Sequence, residues 1–191
     1  MELSAPVILA SASPRRQELL GLYNIPFEVS PSGADESASG SGKEQVLELS
    51  RRKCLDVAQR YPDRLVLAAD TLVCAGDQVL GKPADEEDAL RMLRLLSGRE
   101  HQVHTGVCIR CPDGRIINRA ATTQVTFLPV GDGLLRRYIA TGEPMDKAGA
   151  YAIQGRAGAF ISRIEGSPTN VIGLPLEMLT EIFQELELPL F

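Results

Sequence analysis

The hydrophobic positions fall into short blocks whose period changes along the chain. Val7 to Ala10 form a continuous apolar run, which predicts a short buried strand. Ser13-Pro14 follows. Serine is a favoured N-cap, and proline suits the first helical turn, where its missing N–H would have no partner. A helix is predicted from Pro14 to Leu22, with Leu19, Leu20 and Leu22 as its apolar side, and then a strand from Phe27 to Ser30. Pro31 to Gly42, PSGADESASGSG, has no periodicity and reads as a long mobile loop. Helical spacing returns from Lys43 to Tyr61. Leu65 to Ala69 is apolar throughout, the pattern of a central strand, which is expected to end at Asp70-Thr71.

Leu72 to Leu80 predicts a short hairpin turning at Gly76-Asp77, and Gly81-Lys82-Pro83 breaks it off. Ala84 to Ser97 is helical, with Asp85, Glu86 and Glu87 early and Gly98 as the stop. His101 to Arg110 and Arg115 to Leu128 alternate around Pro112-Asp113-Gly114 and predict a long hairpin. A short helix from Gly131 to Thr141, a strand from Ala159 to Ile164 and a last helix from Pro175 to Leu186 complete the pattern. Helices interleaved with strands and one long hairpin make a mixed α/β protein, with the strand order left open.

Composition narrows the function. A chain of 191 residues, 44% hydrophobic, can bury a core as one domain or two tightly joined lobes. Its net charge of −5 argues against a general nucleic-acid binder, which needs a basic face. A small anionic substrate held by a few local cations remains compatible. No apolar run reaches the ~18 residues of a membrane span. The opening MELSAPVILAS lacks a basic stretch, carries Glu2, and reads as a first strand rather than a signal peptide. Cys54, Cys74, Cys108 and Cys111 are too sparse for a disulfide framework and suit a reducing compartment. In an extended run, the sulfurs of Cys108 and Cys111 point to opposite faces, which disfavours a metal pair. His101 and His104, also three apart, face opposite sides for the same reason.

Four segments carry candidate chemistry. Ser11-Ala12-Ser13-Pro14-Arg15-Arg16 leads a strand into a helix N-terminus. Free N–H groups and the helix dipole favour an anion there, and Arg15 and Arg16 add fork-shaped donors. The same pattern also suits a plain capped helix with surface arginines. Asp70-Thr71 stands at the expected end of an apolar strand, where ligands bind in open α/β sheets. Asp70 there can hold Mg²⁺, accept a proton from water, or merely cap its own turn. Gly81-Lys82-Pro83 places a lysine in a stiff turn outside any Walker A pattern. Glu143 to Gly155 packs acid, base, amide and small residues together. Within it Gln154 offers the donor and acceptor needed to read the edge of a base.

In their fixed order these segments resemble the Maf family of nucleotide pyrophosphatases. The matching pieces include Ser11 to Arg16, Lys53 after Arg51-Arg52, Ala69-Asp70-Thr71, Gly81-Lys82-Pro83, Leu96-Ser97-Gly98 and His104-Thr105-Gly106. Asp146 to Tyr151 with Ile153-Gln154-Gly155, and Asn170 to Pro175, complete the series. Cys54 departs from the family pattern, in which alanine usually follows the lysine. The resemblance implies an α/β fold with a mixed, strongly twisted sheet and flanking helices, two lobes of a single domain around a deep cleft, as in ITPase-like proteins. It implies hydrolysis of a nucleoside triphosphate to the monophosphate and pyrophosphate with a divalent metal cation, Mg²⁺ or Mn²⁺. It also implies a cytoplasmic protein, commonly a homodimer.

Asp70 matches the family's general base, and Arg15, Thr71 and Gln154 match positions linked to substrate choice. The pattern is that of the subgroup acting on dTTP and UTP. The subgroup acting on 7-methyl-GTP has an insertion before the arginines and Glu in place of the Gln. The opposing charge for a triphosphate would come from Arg15, Arg16, Lys53, Lys82 and Lys147, with hydroxyls from Ser11 and Ser13. Lys53 and Lys82 are expected to act in catalysis beside Asp70. Asp35 and Glu36 are candidate second acids, Glu36 joining Asp70 at the metal. The alternative is a non-catalytic nucleotide-binding regulator of septum formation.

Overall fold

The apolar run and the Ser-Pro cap form strand β1 (Val7–Leu9) and helix α1 (Pro14–Gly21). The structure, a computed structural model, describes residues 5–188 and 190, so Glu2 lies outside the described residues. Strand β2 (Phe27–Val29) runs parallel to β1. The Ser- and Gly-rich segment after it is irregular until Ser41 caps helix α2 (Gly42–Ala58). The Ser41 hydroxyl accepts from the Glu44 N–H, and the Glu44 carboxylate accepts from the Ser41 N–H. That reciprocal pair satisfies two donors the helix leaves over. Then come β3 (Val66–Ala75), β4 (Gln78–Leu80), α3 (Glu86–Leu96), β5 (Glu100–Arg110), β6 (Ile116–Phe127), α4 (Asp132–Ile139), β7 (Ile161–Glu165), α5 (Pro168–Ile172) and α6 (Leu176–Glu185).

Among the described residues seven strands form one mixed sheet in the order β2-β1-β3-β5-β6-β7, with β4 also on β3. β1 pairs with β2 and β3 in parallel, and every other pair is antiparallel. The expected strand ending at Asp70 does not end there. β3 runs on to Ala75, because β5 pairs with it continuously from Val66↔Arg110 to Cys74↔Gln102. The polar Asp70-Thr71 pair therefore sits inside a strand.

On the other side of β3 the pairing is broken, and the break makes the site. β1 accompanies β3 only at Val66 and Leu67, and β4 only from Val73 to Ala75. Between them the edge of β3 is open. The chain leaving β1 runs forward into the gap and the chain leaving β4 runs back into it. Ser11 to Arg16 and Gly81-Lys82 thus converge on Asp70 from opposite directions, and ligands bind at such a break in an α/β sheet.

Three apolar clusters among the described residues meet at this gap. α1 and α6 pack on one face of β1, β3 and β5 through Leu20, Leu67, Ile109 and Phe183. α2 covers the other face through Cys54, Val57, Val66 and Cys108. α3, α4 and the turns after α4 surround Val73, Val103, Phe127 and Tyr151. All four cysteines are buried free thiols, and Cys108 and Cys111 lie in clusters on opposite faces, as alternation requires. One close approach decides where α2 sits. A Cβ on Gly106 would stand 2.2 Å from the Val46 carbonyl oxygen, so glycine is what allows the helix onto the sheet beside Asp70.

Candidate active site

The gap opens into a cleft of about 660 Å³. Ser11, Ser13, Arg15, Arg16, Glu36, Lys53, Asp70, Thr71, Lys82, Lys147 and Gln154 all line it. Arg15, Lys82 and Asp70, widely separated in sequence, thus share one pocket. Strand alternation gives the cleft two sides. Asp70 faces α2, and Thr71 faces α5.

On the α2 side Lys53 bridges two acids. Its Nζ donates to Asp70 Oδ1 at 2.6 Å and to Glu36 Oε1 at 2.8 Å. The Lys53 and Asp70 side chains are only 13% and 11% exposed, and that of Glu36 is 70% exposed. Lys53 thereby holds the Glu36 carboxyl below its ordinary range, first by its hydrogen bond and then by its charge, with Lys82 adding to the effect. The second oxygen of Asp70 has no hydrogen-bond partner among the described residues.

The loop bearing Glu36 is irregular, as its composition implies, yet it is tied along α2. Asp56 accepts from Ser32 Oγ at 2.7 Å and the Gly33 N–H at 3.1 Å. Arg52 Nη1 donates to the carbonyls of Asp35 and Ser37 at 2.9 and 2.8 Å, the two residues flanking Glu36. Arg60 donates to the Pro31 carbonyl at 2.9 Å. Sequence reasoning missed this clamp. The spacing of four between Arg52, Asp56 and Arg60 was its one available signal.

On the α5 side Arg16 is spent on the protein. Its Nε donates to the Gly173 carbonyl at 2.9 Å, Nη1 to Ser11 Oγ at 3.1 Å and Nη2 to Thr71 Oγ1 at 3.1 Å. The expectation of a substrate donor thus meets a side chain that braces the cleft wall with three of its nitrogens. Burial lowers its affinity for its proton, and the charge of Asp70 restores only part of it. Arg15, half-buried, makes no hydrogen bond or ion pair among the described residues, and neither do the exposed Lys82 and Gln154. Lys147 pairs with Asp146.

The two histidines face opposite sides as expected. His101 Nε2 meets the Tyr151 hydroxyl at 2.9 Å inside an aromatic cluster, and His104 Nδ1 meets Thr122 Oγ1 at 2.9 Å near α2. No group of three or more His, Cys, Asp or Glu side chains suited to a metal occurs among the described residues. Nor is any helix among them long and apolar enough to cross a membrane.

A mixed sheet broken at one gap, where five cationic side chains and three acids line a single cleft, defines the class: an α/β protein with a charged pocket at the break of its sheet. The fold is shared with two solved structures. The Ham1 protein of Staphylococcus aureus matches with a TM-score of 0.54 at 14% identity, over 95% of this chain and 99% of that one. A HAM1 protein from Coxiella burnetii matches with a TM-score of 0.52 at 14% identity, over 97% and 99%. The family model described as Maf-like protein matches residues 6–186, and the chain belongs to the Maf family. A relative from Thermococcus gammatolerans, named dTTP/UTP pyrophosphatase, is 49% identical over 176 residues, 92% of this chain and 94% of that protein. A protein of the same name from Anaeromyxobacter dehalogenans is 45% identical over 189 residues, covering 96% and 95%.

Proposed function

We propose that this protein is a nucleoside triphosphate pyrophosphatase that hydrolyses dTTP and UTP, and modified pyrimidine nucleotides of the same pattern, to the monophosphate and pyrophosphate. The observation that carries the reading is the convergence on one gap of Asp70, Lys53, Arg15 and Lys82, in a chain whose relatives bear that activity in their names.

Phosphoryl transfer asks mainly for positioning and charge stabilisation. A triphosphate brings about four negative charges at neutral pH, since its terminal phosphate titrates near 6. Arg15, Lys82 and Lys147 oppose them, and Ser11, Ser13 and the N-terminal turn of α1 add neutral donors. Lys53 fixes the Asp70 carboxylate through one oxygen. The other accepts a proton as a water oxygen attacks the α phosphorus. The bond from that phosphorus to the bridging oxygen breaks, and pyrophosphate leaves toward Lys82. Gln154 reads the pyrimidine edge together with Thr71.

Asp70 and Glu36 fit a hard divalent cation. Two carboxylates meet at one ammonium, and Mg²⁺ is commonly held by one or two carboxylates plus substrate phosphates and water. Bound there, Mg²⁺ or Mn²⁺ would neutralise charge on the phosphate oxygens.

The test is a pyrophosphate assay over dTTP, UTP, CTP, 5-methyl-UTP and 7-methyl-GTP. Asp70→Asn keeps the shape of the side chain and removes the base, so release should fall ~10²–10⁴-fold. A normal rate in that variant would sink the assignment. Nucleotide binding without turnover in the unaltered protein would favour a regulator instead.

A further inference from the structure

We propose that Thr105, buried behind Thr71, sets which nucleobase the cleft accepts by fixing the direction of the Thr71 hydroxyl. The proposal rests on the pyrimidine reading above.

Thr105 Oγ1 lies 2.9 Å from the backbone carbonyl oxygen of Asn170, and a carbonyl only accepts. The Thr105 hydroxyl hydrogen is therefore committed to that bond. Thr71 Oγ1 lies 2.9 Å from Thr105 Oγ1, a contact in which either oxygen could donate when the pair is taken alone. With the Thr105 hydrogen already used, Thr71 must be the donor. A guanidinium only donates, so Arg16 Nη2, 3.1 Å from Thr71 Oγ1, places its hydrogen on a Thr71 lone pair. The relay has one direction: Arg16 to Thr71 to Thr105 to the Asn170 carbonyl.

Asn170 is fixed in place by its side chain, which keeps its carbonyl oxygen set against Thr105. Its Nδ2 donates to the Val103 carbonyl and to Thr123 Oγ1, both at 2.9 Å, and the residue is fully buried. Thr105 is fully buried as well, so water does not supply an alternative partner.

Thr71 is half-buried and lines the cleft. Its hydrogen is directed inward, so it offers a ligand a lone pair and no donor. The neighbouring wall is apolar. Val73 and Val103 are cross-strand partners on the same face as Thr71 and Thr105, and Tyr151 and Val171 line the cleft beside them. A flat ring fits against that wall. A ring that brings an N–H to Thr71 is accepted, as uracil and thymine do at N3. Cytosine brings a lone pair at N3 and meets a lone pair. Thr105 touches no substrate and acts only through Thr71, as a positioning residue for specificity.

The measurement is kcat/KM for UTP and for CTP, by pyrophosphate release. The unaltered protein should favour UTP, and equal values for the two nucleotides would overturn the proposal whatever the variants do. Thr105→Val keeps the shape and removes the relay, freeing the Thr71 hydrogen to turn toward the cleft. The UTP-to-CTP ratio should then fall ~10-fold, the scale of one hydrogen bond made good or left unmade. Thr105→Ser keeps the hydroxyl and should keep the original ratio. A Thr105→Val ratio equal to that of the unaltered protein overturns the proposal. If the unaltered protein releases no pyrophosphate from UTP, it is the functional reading that fails.

Discussion

Lys53 holds two carboxylates with one ammonium, and this makes it the residue on which the charged side of the cleft depends. Removing one member of a buried ion pair leaves the other charge without a partner, which commonly costs several kcal/mol. His101 shows the opposite economy: a titratable group kept neutral by burial. Its ring packs against Phe127 and Tyr151, and burial pulls its pKa down to about 4 from 6.5. Between those values the unfolded chain takes up a proton that the folded protein refuses. Stability therefore falls as pH drops from 6.5 to 4, by about 3 kcal/mol from this residue. Burial moves His104 in the same direction. Thermal melts across that range should show the decline, and it should be shallower in His101→Gln. An equal slope in the variant would assign the effect elsewhere.

At the scale of elements, β3 and α2 build the site between them. β3 supplies Asp70 and Thr71 at its open edge, and α2 supplies Lys53 and, through Arg52 and Asp56, the placement of Glu36. Arg52→Ala frees the backbone on both sides of Glu36. Pyrophosphate release should drop about tenfold, equivalent to 1.4 kcal/mol of lost transition-state stabilisation. The loop of residues 31–41 should also be cut faster by protease. Unchanged cleavage and unchanged turnover would show that the clamp is idle. The sequence makes the segment from Ser11 to Arg16 legible because a strand, a cap and two arginines are contiguous. The long β5–β6 hairpin is legible by alternation around Pro112-Asp113-Gly114. The continuation of β3 past Asp70 is not. Two polar residues interrupt the apolar run, and the strand that sustains the ladder places Thr105 opposite Thr71 from 34 residues away. Helix α5 and the 3₁₀ turns between Glu143 and Phe160 escape for a related reason: they are too short to show a period. The inward role of Arg16 is hidden too, since its partners Gly173 and Thr71 come from distant segments.

At the scale of the molecule, the three apolar clusters found among the described residues back the sheet on both faces and around the cleft. The α2 side gathers Lys53, Asp70 and Glu36, which the proposed reaction sets against the phosphates and their cation. The α5 side sets a hydroxyl of fixed direction beside Val73, Val103 and Tyr151, suited to a ring. A net charge of −5 spread over the chain leaves the cleft as a local cationic exception, which favours a small polyanion over a nucleic acid. In the proposed reaction, water attacks the α phosphorus. Hydrolysis of UTP in ¹⁸O-labelled water, followed by mass spectrometry of both products, tests it directly. Attack there puts the label in the monophosphate and none in the pyrophosphate; label in the pyrophosphate, or release of UDP with labelled phosphate, would contradict it.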